Sequence, residues 1–201
     1  MVRALALCCA CVLAMPAAAA AEWHITPMVG LTFAGKTTLV DLEVATGEVH
    51  PNIGIAGTFL TSGLLGVEAI ATVTPKFFQN DDAPVSFVES SRLTSLMGNI
   101  VVTVPQKWTE YFLRPFVSGG FGLLRTSRQD RPELAEVLST TTNLFGYNIG
   151  GGAIGFFSRS TGVRFDFRYY STVRGTDLGA EAFGDAHLRY LSASVGVVIR
   201  R

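Results

Sequence analysis

Eight stretches of this chain alternate between two kinds of residue at every second position, over residues 23–33, 52–60, 64–73, 94–104, 113–124, 143–157, 162–170 and 189–199. The clearest reads GVRFDFRYY: Val163, Phe165, Phe167 and Tyr169 share one face, and Arg164, Asp166 and Arg168 share the other. Successive side chains of a β-strand point to opposite faces, so a period of two is a strand signal. In the stretch at 189–199, Leu191, Ala193, Val195, Val197 and Ile199 oppose Tyr190, Ser192, Ser194 and Gly196. At 64–73, Leu65, Val67, Ala69, Ala71 and Val73 oppose Gly66, Glu68, Ile70 and Thr72.

The character of the second face constrains the fold further. It is small and neutral-polar, made of Gly, Ala, Ser, Thr and Asn with a few charges, whereas a water-facing surface carries Lys and Glu. The apolar face is broad and flanked by aromatics. A soluble eight-stranded barrel would turn its apolar face inward around a ligand. Here the polar face suits a crowded interior, which eight strands leave just wide enough for side chains to fill.

Connections alternate too. Those at 61–63, 105–111 and 158–162 are short; those near 34–51, 75–91, 126–142 and 172–187 are long and hold most of the acidic residues. An even strand count with short and long connections taking turns predicts an all-β fold. It is an eight-stranded antiparallel up-and-down transmembrane β-barrel, with both termini and the short turns in the periplasm and the long loops outside.

A second segment shapes the expected domain organisation. Residues 1–21 hold a charged Arg3, an apolar run, the helix-breaking Pro16 and an A-x-A site at 19–21. This is the pattern of a secretory signal peptide cleaved before Glu22, leaving residues 22–201 as the barrel domain. An uncleaved anchor of the same length is disfavoured by the alanine-rich ends and the proline. Cys8, Cys9 and Cys11 would leave with the leader, removing all thiol chemistry. Sixteen Lys and Arg balance sixteen Asp and Glu, so no basic field points to nucleic acid.

Inside the expected barrel, Glu68, Arg114, Arg164, Asp166 and Arg168 fall on the lumen face. The third and seventh strands lie opposite each other in an eight-strand ring, so Glu68 should reach Arg164 or Arg168, with Asp166 and Arg114 completing a network. Pairing offsets the desolvation of each charge. The expected role is structural, a charged network that closes the lumen; the alternative is a narrow channel for small solutes. Two aromatic belts are expected at the lipid boundaries. Trp23, Trp108, Tyr111, Phe112 and Phe157 form one, and Phe33, Phe77, Phe78, Phe145, Tyr147, Tyr169 and Tyr170 the other.

Two motifs point elsewhere and fail on context. GLTFAGKT at 30–37 fits the phosphate-loop pattern, and GGGAIG at 150–155 fits the dinucleotide pattern. Each needs a strand before it and a helix after it. The first is expected to finish a strand and enter an external loop, with Lys36 a solvated charge; the second runs into strand and turn. His24, His50 and His187 are scattered and lack an acid pair, so no metal site, cofactor or catalytic residue is assigned. A lipid-modifying enzyme with a serine and a histidine near the outer leaflet is the alternative. His50 and His187 have the suitable depth, but no serine motif stands beside either.

LRPFVSGGFGLLR at 113–125 and YNIGGGAIGFFSRSTGVRFDFRYY at 147–170 resemble strands of the outer-membrane β-barrel family, the OmpA/OmpX-like eight-stranded proteins. The resemblance implies a small monomer in the bacterial outer membrane, inserted by the barrel-assembly machinery and surrounded by lipid and lipopolysaccharide. Such chains often end in an aromatic residue; this one ends VGVVIRR. The expected function is non-enzymatic: envelope integrity, or adhesion to an extracellular ligand through the long loops. In the loop at 127–143, PELAEVL is expected to form a short helix.

Overall fold

The computed structural model describes residues 21–37, 49–61, 63–77, 88–104, 113–130, 140–177 and 188–201. Eight strands run in chain order: β1 (Glu22–Thr37), β2 (His50–Leu60), β3 (Leu65–Pro75), β4 (Val88–Thr103), β5 (Leu113–Asp130), β6 (Thr140–Phe156), β7 (Thr161–Asp177) and β8 (Leu188–Arg200). Each pairs antiparallel with its sequence neighbour, and β1 pairs with β8 to close the barrel. At the seam, the Trp23 and Arg201 backbones exchange hydrogen bonds of 3.0 and 2.9 Å, so both ends of the barrel chain lie at one rim. No described helix is long and apolar enough to cross a membrane.

Side-chain hydroxyls fix the short turns locally. Thr61 Oγ1 donates to the Leu65 carbonyl at 2.6 Å and accepts from the Gly63 amide at 3.3 Å. Ser158 Oγ accepts from the amides of Ser160 and Thr161. Threonine and serine hold turns because a short hydroxyl mimics a backbone partner. These turns set the registers Phe59↔Val67 and Gly155↔Val163, and register decides which face every later side chain joins.

The barrel is inside out relative to a soluble protein. Ile100, Phe121, Ile149 and Phe165 are each more than 60% exposed, while Glu68, Arg164 and Arg168 are at most 3% exposed. Two apolar clusters also sit in the interior. Leu60, Val101, Phe116, Ile154, Phe156 and Val198 pack towards the rim carrying the termini. Phe77, Leu93, Leu124, Leu144, Leu188 and Tyr190, with others, pack towards the opposite rim.

Several expectations change. The strands outrun their apolar alternation: β1 reaches Thr37, β4 begins at Val88, β5 ends at Asp130, β6 begins at Thr140 and β7 ends at Asp177. Backbone pairing needs no apolar face, so the ladder continues after the lipid-facing pattern stops. An 18-residue strand such as β5 rises roughly 45 Å at a tilt of about 40°, against an apolar band of about 25 Å. The 11-residue strands β2 and β3 rise only about 28 Å by the same arithmetic. The rim without termini is therefore uneven, low at β2–β3 and high at β4–β7.

All of residues 30–37 lie in β1, with Lys36 paired to Arg189, so the expected loop start at 34 is corrected. Phe77 and Tyr170, expected in an aromatic belt, are buried at 2% and 1%. Tyr170 obeys the alternation that puts Tyr169 outside. Phe77 would point outward if β3 continued, but Lys76 has a positive φ of 58° and turns it in. Trp108, Tyr111, Phe112, Phe78, His187, the 132–138 helix and the signal segment 1–20 lie outside the described residues.

Candidate functional site: the lumen network

The alternation of β7 delivers Arg164, Asp166 and Arg168 to the lumen, one above the next. Glu68 arrives from β3 across the barrel. Arg164 Nη1 lies 2.5 Å from Glu68 Oε2, and Arg168 Nη2 lies 2.6 Å from Glu68 Oε1. Asp166 binds both arginines from its own strand, at 2.5 Å to Arg164 Nη2 and 2.7 Å to Arg168 Nε. Two carboxylates and two guanidiniums make a neutral quartet in which each acid bridges both bases. Fork-shaped guanidiniums suit such shared carboxylates better than ammonium groups would.

Neutral side chains complete the quartet. Asn99 Nδ2 donates to Glu68 Oε1 at 3.1 Å, and Thr58 Oγ1 donates to Glu68 Oε2 at 3.2 Å. Arg168 Nη1 donates to Asn148 Oδ1 at 3.0 Å, and Asn148 Nδ2 donates to Asn99 Oδ1 at 2.6 Å. The guanidinium carbon of Arg164 lies 4.4 Å from the centre of the Phe116 ring, where the network meets one apolar cluster. Strands β2, β3, β4, β6 and β7 are thereby joined through the middle of the barrel.

Arg114 does not belong to this network. It lies at the start of β5, where Nη1 donates to Glu22 Oε2 at 2.8 Å and Nε to the Val104 carbonyl at 3.3 Å. His24 Nε2 sits 3.2 Å from the same carboxylate oxygen, and Arg200 Nη1 lies 3.6 Å from Glu22 Oε1. The result is a second cluster at the rim carrying the termini, tying β1, β5 and β8. Sequence reasoning missed Glu22, which sits at the expected cleavage boundary. It also missed Asn99, Asn148 and Thr58, although inward placement in the alternation marks all three. A further hydroxyl-amide set, Asn52 with Thr32 and Ser192, joins β1, β2 and β8 near the other rim.

None of these groups forms a recognisable reaction centre among the described residues, and no set of three metal-ligating side chains occurs there. His50 is 6% exposed and faces the lumen against Phe77, with ring centres 5.9 Å apart, rather than facing lipid. The aromatic belts are represented outside by Trp23, Phe59 and Phe157 at one rim. Phe33, Phe145, Tyr147 and Tyr169 represent the other.

A closed antiparallel barrel with an apolar exterior and a polar, charge-paired interior is a transmembrane β-barrel. The chain belongs to the outer membrane protein beta-barrel domain family, whose model matches residues 5–200. Its place is accordingly the bacterial outer membrane, in contact with that membrane's lipids. Among solved structures it is similar to Neisserial surface protein A, at 14% identity and a TM-score of 0.58, covering 89% of this chain and 98% of that one. It is also similar to OprG of Pseudomonas aeruginosa, at 12% identity and a TM-score of 0.57, covering 90% and 96%. A third is Ail, the attachment invasion locus protein of Yersinia pestis, solved with the heparin analogue sucrose octasulfate. It shows 10% identity and a TM-score of 0.54, covering 90% and 99%. At these identities the likeness is one of fold. No curated protein sequence matches the chain.

Proposed function

We propose that this protein is a non-enzymatic outer-membrane scaffold with a closed lumen, which holds its long connections at the cell surface for adhesion or envelope integrity. The observation that carries this reading is the Glu68–Arg164–Asp166–Arg168 quartet, set between two apolar clusters. In this reading the filled lumen passes no solutes, so the useful surface is what the barrel presents at its rims. Strands β4–β7 rising past the apolar band give the connections a rigid base, and rigid scaffolds carrying variable loops are a common binding arrangement.

In this reading a signal peptide at 1–21 takes the chain out of the cytoplasm, the barrel-assembly machinery inserts it, and both termini face the periplasm. The family's usual layout of short periplasmic turns and long external connections supports that orientation. Epitope tags test it. A tag placed within residues 78–87 should be labelled on intact cells, and a tag within residues 105–112 only after permeabilisation. The reverse pattern would overturn the surface role. Deleting the long connections should then abolish binding of intact cells to host or neighbouring surfaces; undiminished binding would leave envelope integrity as the role.

A further inference from the structure

Among the described residues, charge is sorted by face. Glu22, Glu68 and Asp166, the acidic residues whose side chains are described, are all engaged with lumen-side arginines. The exposed charged side chains among the described residues are all cations: Lys76, Arg92, Arg125, Arg159, Arg189 and Arg201. Three of them gather at the rim away from the termini, on adjacent strands. Arg92 on β4 pairs with Pro75 of β3, and the Lys76 amide bonds to the Ser91 carbonyl at 2.8 Å, which sets Lys76 beside Arg92. Arg125 on β5 pairs with Thr94, while Arg92 pairs with Ser127, so the two arginines are diagonal neighbours on the outer face. Diagonal neighbours lie within about 8 Å.

Four features make this more than scattered surface charge. Among the described residues, the side chains of Lys76, Arg92 and Arg125 have no hydrogen-bond or ion-pair partner, so three like charges stand together there without a described acid beside them. Such clustering is unfavourable unless an anion shares the site. The cations sit just above the lipid-facing band, with Leu123 two residues below Arg125 and Leu96 four residues along from Arg92, both exposed. The arginines are also held on sheet rather than loop, since β4 begins at Val88 and β5 continues to Asp130. Lys76 itself occupies a left-handed turn position with φ of 58° that glycine or asparagine would fill with less strain.

We propose that Lys76, Arg92 and Arg125 form a headgroup clamp for a phosphorylated glycolipid of the leaflet at that rim, the outer leaflet in the orientation proposed above. A phosphate monoester offers several acceptor oxygens to two guanidiniums and an ammonium at once. Its acyl chains would descend over the apolar outer face of β3–β5, including Val73, Leu96 and Leu123. The occupant is thus fixed by two chemistries at the right depths: phosphate at the cations and hydrocarbon below them.

Native mass spectrometry of the purified, refolded barrel in detergent tests the clamp without depending on orientation in a cell. The probes are bisphosphorylated lipid A, enzymatically dephosphorylated lipid A, phosphatidylglycerol and inorganic phosphate. The wild type should retain bisphosphorylated lipid A. The K76Q/R92Q/R125Q variant should retain it at least about tenfold less, since each cation near a charged lipid surface contributes appreciably to affinity. R159Q/R201Q, at the other rim, should bind like wild type. Heat-modifiable migration on a gel checks that each variant is folded; R125Q alone stands in if the triple variant is not, with a smaller loss expected. Equal retention by the clamp variant, equal retention of dephosphorylated lipid A, or preference for phosphatidylglycerol or free phosphate would each overturn the proposal. Failure here would leave the surface orientation, read by the epitope tags, untouched.

Discussion

Glu68 is the residue on which the interior turns, because it alone bridges the barrel from β3 to both arginines of β7. Replacing it by Gln leaves a buried quartet with one carboxylate for two guanidiniums. Breaking a buried ion pair by removing one partner destabilises by about 3–5 kcal/mol. Glu68→Gln should therefore lower the unfolding free energy of the barrel, read from urea titration in detergent, by that amount. Adding Arg164→Gln restores neutrality, and the double variant should lose less than the sum of the two single ones. Strict additivity would mean the side chains do not act as a unit. The Glu68–β7 encounter was legible in the sequence because strand count alone puts β3 opposite β7. The position of Arg114 was not: alternation gives the face a residue joins but not its height. One turn residue, Lys76, was enough to reverse the direction expected for Phe77.

At the scale of the strand, glycine decides how closely neighbours approach. A Cβ built on Gly120 would collide with the Gly98 carbonyl of β4, and one on Gly152 with the Phe165 carbonyl of β7. Both lie on the lumen side of their strands, where a bent, coiled sheet brings backbones together. Gly57 faces outward, and a Cβ there meets nothing within 4 Å. Gly120→Ala should destabilise the barrel by about 1–3 kcal/mol through overpacking, while Gly57→Ala should be neutral or slightly stabilising. Thermal melts followed by gel migration would show it; equal shifts would mean the lumen is looser than drawn. The same glycines explain why GGGAIG mimics a dinucleotide loop: Gly150 and Gly152 meet the backbone of β7 rather than a pyrophosphate. Strand existence was readable from period-two patterning. Strand ends were not, because β5 and β6 go on pairing after lipid-facing side chains cease to matter.

For the molecule as a whole, the sequence shows lipid outside and polar residues inside, since the polar face is too neutral for water and the apolar face too broad for a core. It does not show how the lumen is filled. Phe116, Phe156 and Val198 at one end, and Leu93, Leu124 and Leu188 at the other, are inward apolar residues that the small polar pattern conceals. They turn a charged interior into a layered one, with the quartet lying between two apolar clusters. Steady conductance across a planar bilayer tests that claim most directly. The purified barrel should insert, as shown by protection of its strands from protease, and yet pass no steady ionic current across the physiological range of voltage. A reproducible single-channel conductance from the wild-type protein, altered by Glu68→Gln, would contradict the closed lumen and make the quartet part of an ion path.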